Sequence, residues 1–208
     1  MTIETIFGYP VMLLTLDFDL EKLTDFAHDE QSNDSEGLQH TNLGGWHSKV
    51  LVDDEIDNTE FDKLKGTIGE HLDVYHSEFF KDTTFTHDVK SLVSNMWLNI
   101  NDKGHGNALH HHPDGMFSGT FYIKHDNTFE NGDLVFQNPL DSKLDYILRS
   151  HHLHRGNVKE YGQVISKEIR VLPEENMLIY FPAWLFHWVD VNLSDNRRIS
   201  LSFDTVIL

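Results

Sequence analysis

The sequence contains no cysteine. This absence excludes disulfide bonds, thiolate nucleophiles and the cysteine-ligated zinc or iron–sulfur sites. Any metal site in this chain must therefore use nitrogen and oxygen ligands. Such ligands are abundant, because the chain carries 15 histidines and 34 acidic residues.

Basic residues are also scarce. Only 16 lysines and arginines stand against the 34 acidic residues, which gives a formal net charge of -18 at pH 7. The acidic residues are spread along the chain and no basic patch interrupts them, so the surface should repel phosphate backbones. We expect a well-solvated surface and no nucleic-acid partner.

Long apolar runs are missing as well. No uninterrupted run approaches the roughly 20 residues of a membrane-spanning helix. The chain begins MTIETIFGYP, with an early acidic residue and no basic region, which is not typical of a secretory signal. We expect a cytoplasmic protein without a membrane partner, folded as a single domain over residues 1–208.

Helical features dominate the first 88 residues. Apolar residues recur every three or four positions from residue 59 to about residue 80, which is typical of an amphipathic helix that covers a sheet. Pro10 places the first strand at a sheet edge, because proline cannot donate to a central ladder. The other predicted elements are a strand over residues 7–16, a helix over 20–28 capped by Asp17 or Asp19, a loop over 29–45 with Trp46 as an anchor, and a short strand over 49–52.

From residue 89 onward the chain consists of short β-prone runs separated by Gly, Asn, Asp and Pro. Short strands at this spacing, after one or two helices, indicate an antiparallel jelly roll with the helices packed outside. The predicted fold class is mainly β (α+β), with a helical segment over 1–88 and a jelly-roll core over 89–208. The predicted strands span residues 91–100, 119–124, 134–137, 163–172, 177–181, 187–191 and 198–207.

Three consecutive histidines precede one of these strands. Alternation along a strand would place His110 and His112 on one face and His111 on the other. Two imidazoles on one face can bind one metal ion. A second histidine cluster, at His152 and His154, lacks flanking strands, and we predict that residues 140–162 form a long loop over the barrel mouth.

A distal apolar segment, residues 180–189, carries a lone histidine, His187. By itself such a histidine packs in a core more often than it binds a metal. The strand that follows places Arg198 and Ser200 on one face, and an inward arginine in an apolar strand needs an anionic partner. Together with the histidine run, these residues predict a binding site.

These motifs resemble the 2-oxoglutarate- and Fe(II)-dependent oxygenases, specifically a small family of the prolyl-hydroxylase-like branch. The resemblance covers most of the chain, and its motifs follow in order. They are IFGYPV at 6–11, NLGGWHS at 42–48, WLNIN at 97–101, HHHP at 110–113, SGTFY at 118–122, YFPAWLFH at 180–187 and RRISLSF at 197–203.

The resemblance implies a double-stranded β-helix that holds one Fe(II) through His110, His112 and His187, with positions left for 2-oxoglutarate and O₂. Gly106 matches a glycine that often precedes the first ligand. In this register His112 stands where the wider superfamily has Asp or Glu. A second register takes His112-Pro113-Asp114 as the motif and restores the carboxylate, although the proline and the Asp-Gly pair indicate the end of a strand.

The resemblance also implies the cosubstrate contacts. Arg198 would pair bidentately with the distal carboxylate of 2-oxoglutarate, and Ser200 would add a hydroxyl donor. Tyr122 is a second candidate donor, with a core tyrosine as the alternative, and Asn99 is a candidate contact from the preceding strand. Arg197 faces the other way and is predicted to be exposed to solvent.

The leading functional hypothesis is a dioxygenase that couples oxidative decarboxylation of 2-oxoglutarate to hydroxylation of a C–H bond. The substrate would be a small molecule or a peptidyl group, such as a prolyl or other amino-acid residue. For the assembly, the hypothesis includes a homodimer. No catalytic residue is predicted besides the metal site. One alternative is a cupin-like jelly roll that binds a metal or an anion without oxygenase activity, and it differs from the oxygenase in whether Arg198 points toward the histidines. Another is a structural jelly roll whose histidines bind nothing.

Overall fold

Two antiparallel sheets form the core of the computed structural model, which describes residues 8–51, 58–150 and 166–208. The larger sheet has the strand order β1-β9-β6-β11-β4-β3, and the smaller has the order β2-β5-β10-β7-β8. This is the predicted double-stranded β-helix. The elements are β1 Met12–Thr15, α1 Leu20–Asn33, β2 Asn42–Leu43, β3 Trp46–His47, α2 Thr59–Phe79, β4 Ser91–Asn101, β5 Gly106–His110, β6 Phe117–Lys124, β7 Leu134–Gln137, α3 Asp141–Ser150, β8 Glu168–Val171, β9 Met177–Pro182, β10 His187–Val189 and β11 Arg198–Ile207.

The two long helices pack on the outer face of the larger sheet, as predicted. Asp19 caps α1 by accepting a hydrogen bond from the backbone of Lys22, and Asn58 caps α2 in the same way. The Tyr180 hydroxyl donates to the carbonyl of Ile68 at 2.7 Å and so ties α2 to β9. None of the helices in the described part of the chain has the length and apolarity needed to cross a bilayer.

Strand alternation gives the larger sheet two different faces. The apolar residues of β4 and β11 point toward the helices and join the main core, while the intervening residues point toward the smaller sheet. A shift of one residue in the register of a strand would exchange its two faces. Burial of the apolar residues against the helices therefore also determines which side chains point toward the smaller sheet. The apolar set from these two strands is Met96, Leu98, Ile100, Ile199, Leu201 and Phe203.

Several predicted boundaries were wrong in the first half of the chain. Helix α1 continues through residues 29–33, which the prediction assigned to a loop, because this last turn is polar and adds nothing to the apolar periodicity. The predicted strand over 49–52 is not found at Lys49–Leu51, and Val52 lies outside the described residues. Pairing with β4 occurs instead at β3, where Trp46 is buried and its indole N–H donates to the Asp34 carbonyl at 2.7 Å.

The second half departs from prediction in two whole elements and in some strand bounds. The predicted strand over 163–172 is β8 Glu168–Val171, with residues 163–165 outside the described part, and the predicted strand over 187–191 ends at Val189. Helix α3 occupies the start of the predicted loop over 140–162, whose residues beyond Ser150 lie outside the described part. Strand β5 was not among the predicted strands. Its first residue, Gly106, lies so close to β10 that a Cβ atom there would come within 2.8 Å of the Val189 carbonyl oxygen. A glycine required by this close approach lowers the apparent strand propensity of the segment.

Candidate metal centre and anion pocket

Three histidines converge between the two sheets. His110, the last residue of β5, lies directly opposite His187, the first residue of β10, and their ring centroids are 4.3 Å apart. The His112 ring centroid lies 5.1 Å from that of His110 and 5.2 Å from that of His187. One ligand atom from each residue lies within 4.8 Å of the other two, an arrangement that can hold a metal ion.

The contacts that the three rings make through Nδ1 select one tautomer. Each Nδ1 contacts an oxygen that can only accept a hydrogen bond, so each Nδ1 carries the proton and each Nε2 keeps its lone pair. Metal-binding histidines are commonly held in this way. The Ala108 carbonyl accepts from His110 at 2.7 Å and the Leu185 carbonyl from His187 at 2.8 Å. For His112 the contact is a distance of 2.8 Å between Nδ1 and the Asp204 carboxylate.

Burial keeps two of these imidazoles in the neutral form that binds metals. It lowers the pKa of His110 to about 4, despite the opposing hydrogen bond to Ala108. Burial, reinforced by the neighbouring His110, also lowers the pKa of His187 well below its usual range. Protons therefore compete weakly with a metal ion at both positions near neutral pH.

Two other residues of the histidine motif, His111 and Asp114, do not join the cluster of three histidines. His111 points away from the cluster and packs on Phe186, with ring centroids 4.6 Å apart, as strand alternation predicted. Asp114 is exposed in the turn after β5 and does not join the metal-binding group found among the described residues. The structure thus brings His112, and not Asp114, to His110 and His187.

The inner face of the larger sheet supplies the second half of the site. Alternate residues of β11 lie opposite side chains of β4 and β6, forming three rows across the sheet. Three of the four predicted cosubstrate residues share one row, in which Asn99 and Tyr122 flank Ser200. The rows are Asn99, Ser200 and Tyr122; Trp97, Ser202 and Thr120; and Asn95, Asp204 and Ser118.

Arg198 is buried, with only 2% of its surface exposed, and it points into the cavity that the histidines line. Its guanidinium lies 5.1 Å from the centre of the Tyr122 ring, and Nη1 donates to Ser200 Oγ at 3.2 Å. The structure shows no carboxylate paired with Arg198 among the described residues. A buried guanidinium normally requires such a partner.

Unsatisfied polar atoms belong to three residues that line this cavity. Among the residues that the structure describes, Thr120 Oγ1, Tyr122 Oη and Arg198 Nε are buried without a hydrogen-bond partner. Burial raises the pKa of Tyr122, against the opposing effect of Arg198, so its phenol keeps the proton that it can donate. These groups fit a carboxylate, which accepts several hydrogen bonds and neutralises the arginine.

Asn99 and Arg197 differ in their relation to this pocket. Asn99 lines the cavity and donates to Ser202 Oγ at 3.2 Å. Arg197 was predicted to be exposed, but it is half-buried and paired with Asp102, with Nε 2.7 Å from Oδ1. This pair lies outside the residues that line the cavity.

The cavity has a volume of about 410 Å³ and opens between the sheets. Leu38, His40 and Val50 also line it. The rings of His47 and Trp97 are stacked at 5.7 Å, and Trp97 in turn stacks on His112 at 5.7 Å.

Sequence reasoning missed His47, Thr120, Ser202 and Asp204 as cavity residues. For Ser202 and Asp204 the signal was present, because they continue the two-residue alternation that begins at Arg198 and Ser200. His47 has no such signal, and only the pairing of β3 with β4 brings it beside Trp97.

His125 is buried behind Arg198, and its titration predicts a pH dependence of stability. Burial and the nearby Arg198 charge lower its pKa to about 4, whereas in the unfolded chain it is about 6.5. As the pH falls from 6.5 toward 4, the unfolded chain takes up this proton first, so stability present above pH 6.5 is lost. The loss is at most about 1.4 kcal/mol per pH unit.

We expect the free energy of unfolding of the metal-free protein to fall more steeply between pH 6.5 and 5 than that of a His125→Asn variant. The asparagine keeps an oxygen that can accept the Asn127 N–H bond now made to His125 Nδ1. Urea denaturation at several pH values measures the difference. Parallel pH profiles for the two proteins would contradict this assignment.

Comparison with known proteins gives three findings. Residues 95–204 match the family described as "Putative 2OG-Fe(II) oxygenase". No curated protein matches the chain significantly. Solved structures with a similar fold include a Pseudomonas putida prolyl-4-hydroxylase, with a TM-score of 0.58, 13% identity, and coverage of 94% of this chain and 92% of that one.

Two further structures share the fold. The viral collagen prolyl hydroxylase of Paramecium Bursaria Chlorella virus-1, in a 2OG complex, has a TM-score of 0.54 and 10% identity, covering 94% of each chain. HygX from Streptomyces hygroscopicus, with nickel and 2-oxoglutarate bound, has a TM-score of 0.57 and 10% identity, covering 94% of this chain and 82% of that one. At these identities the similarity shows a common fold.

Proposed function

Because this chain belongs to the 2OG-Fe(II) oxygenase family, we propose that it hydroxylates a C–H bond with Fe(II) as cofactor and 2-oxoglutarate and O₂ as cosubstrates. One observation carries the proposal. A single cavity joins three imidazoles that can hold a metal ion to a buried arginine that has no carboxylate partner among the described residues.

The donor set of the histidine cluster fits Fe(II). His110, His112 and His187 would hold the ion through their Nε2 atoms, and three protein ligands leave coordination positions for two oxygens of 2-oxoglutarate and for O₂. When bound, Fe(II) supplies the activation of O₂, with one oxygen atom going to the substrate carbon and the other to the succinate formed, together with CO₂, from 2-oxoglutarate.

The anion pocket fits the distal carboxylate of 2-oxoglutarate. Arg198 would pair with that carboxylate, while Tyr122 and Thr120 donate their hydroxyl protons to it. Ser200, already bonded to Arg198, keeps the guanidinium in place, and Asn99 borders the same space. Because Arg198 is almost fully buried, this ion pair would form away from water, where the attraction between the charges is strong.

The proposed substrate is a small molecule or a peptidyl group, with a prolyl or other amino-acid residue as the reacting unit. Two structures with the same fold are prolyl hydroxylases by name, which supports this choice by analogy. The substrate would enter past His47 and Trp97, whose rings lie beside His112. The cytoplasmic location, the homodimer, the absence of a nucleic-acid partner and the single-domain organisation stay predictions.

The alternative, a cupin-like protein that binds a metal or an anion without oxygenase activity, is favoured by one feature. The metal-binding group consists of three histidines and has no carboxylate ligand. The position of Arg198 supports the oxygenase instead, because it points into the cavity of the histidines.

An anaerobic titration tests the proposal. We expect the protein to bind Fe(II) and then, on addition of 2-oxoglutarate, to develop the weak visible charge-transfer band of a chelated 2-oxo acid. Succinate is the matched control, because it has two carboxylates but no 2-oxo group, and it should produce no band. If folded, iron-loaded protein develops no band with 2-oxoglutarate, the oxygenase proposal is wrong.

A further inference from the structure

Asp204 contacts the one histidine of the cluster that stands where a carboxylate ligand is usual in the wider superfamily. Its Oδ1 lies 2.8 Å from His112 Nδ1, and the two side chains are only 18% and 14% exposed. We infer that Asp204 is a positioning residue that orients His112 and supplies the negative charge that a ligand carboxylate would otherwise bring. This inference rests on the proposed function, since it assumes that the three histidines bind a divalent metal ion.

The charge of the site motivates this assignment. Three neutral imidazoles leave the two positive charges of a divalent ion uncompensated by the ligands themselves. A carboxylate that accepts the Nδ1 proton of a ligand imidazole increases the basicity of that ligand and brings a negative charge close to the metal. Asp204 would do so without occupying a coordination position, which leaves that position to His112.

The local structure explains why His112 needs such a partner. Strand β5 ends at His110, so no continuous ladder determines the orientation of the His112 side chain. Its backbone N–H donates to the Ala183 carbonyl at 2.8 Å, and Trp97 stacks on its ring. These contacts restrict the position of the ring, and the contact of Nδ1 with Asp204 leaves Nε2 to face the other two histidines.

Asp204 is itself held in place. Ser118, its cross-strand partner on β6, donates its hydroxyl to the same Oδ1 at 2.6 Å. This hydrogen bond limits the rotation of the carboxylate. Ser118 thus holds the carboxylate oxygen that contacts the His112 ring, on the side of the ring opposite Nε2.

The test compares Asp204→Asn with the wild-type chain by titrating metal-free protein with Co(II). The asparagine keeps the shape and one acceptor oxygen but removes the charge, and we expect Co(II) binding to weaken about 10- to 100-fold. At saturating Co(II), 2-oxoglutarate should bind at least as tightly as to the wild type, because the dianion no longer faces the Asp204 charge. If the substitution distorted the site instead, the affinities for Co(II) and for 2-oxoglutarate would both fall.

Asp114→Asn is the matched control, because it removes the same charge from the same cavity without a contact to a histidine of the cluster. Its Co(II) affinity should equal that of the wild type. Equal losses in the two variants, or no loss in Asp204→Asn, would overturn the inference while leaving the proposed function intact. If the folded wild-type chain binds no Co(II), the inference and the proposed function both fail.

Discussion

The His112→Ala variant should lose Fe(II) affinity by more than about 100-fold, a larger loss than a change outside the ligand set typically causes. The physical reason is that only two imidazoles, His110 and His187, would remain, and no other acidic or histidine side chain of the described part joins their metal-binding group. Anaerobic titration of the metal-free protein with Fe(II), monitored by calorimetry, measures the loss.

The Asp114→Ala variant is the partner experiment, because Asp114 is the carboxylate that the second sequence register requires. Asp114 is exposed in the turn after β5, so its removal should leave Fe(II) binding unchanged. If Asp114→Ala abolished binding and His112→Ala did not, the second register would be correct, and a rearrangement of this turn on metal binding would have to follow.

The Arg198→Met variant should bind 2-oxoglutarate about 30-fold more weakly or worse, while still binding metal. Truncating one partner of a buried, hydrogen-bonded charge pair costs about 2 to 5 kcal/mol, and 2 kcal/mol corresponds to roughly 30-fold in affinity. Methionine retains much of the length and the packing of the side chain without its charge. Titration of 2-oxoglutarate into protein saturated with Co(II) provides the measurement.

Arg197→Met is the control for this experiment. Arg197 carries the same charge one position earlier on the chain, but it pairs with Asp102 outside the cavity. Its loss should leave 2-oxoglutarate affinity unchanged apart from a small, salt-dependent effect of net charge. Equal affinities of the Arg198→Met and wild-type proteins would show that the cosubstrate carboxylate binds elsewhere.

The two-residue alternation accounts for most of what could be predicted about the site. It placed Arg198 and Ser200 on one face of β11, and the structure finds both in the cavity. It would also have reached Asp204, two further steps along the same strand. It also predicted that His110 and His112 lie on one side and His111 on the other, although the strand ends at His110 and His112 reaches the cluster from beyond it.

The helices and short strands also divide into those that the sequence predicted and those that it did not. The apolar spacing of α2 predicted its extent to within one residue, because each buried side chain repeats the helical period. The last turn of α1 and the strands β2 and β3 have no such signal. The two strands exist because tertiary partners accept their backbone groups, as when β2 pairs with β5 and β3 with β4.

The sequence alone determined that any metal site uses nitrogen and oxygen ligands, because the chain contains no cysteine. It also indicated that such a site, built from the histidine motif, His187 and Arg198, lies in a mainly β fold. Only the tertiary structure decided between His112 and Asp114 as the residue beside His110 and His187, and only it placed Asp204 on His112. The physical reason is that alternation is a local property of a single strand. Distances between strands depend on register and on turns, and these are set by contacts between segments far apart in the chain.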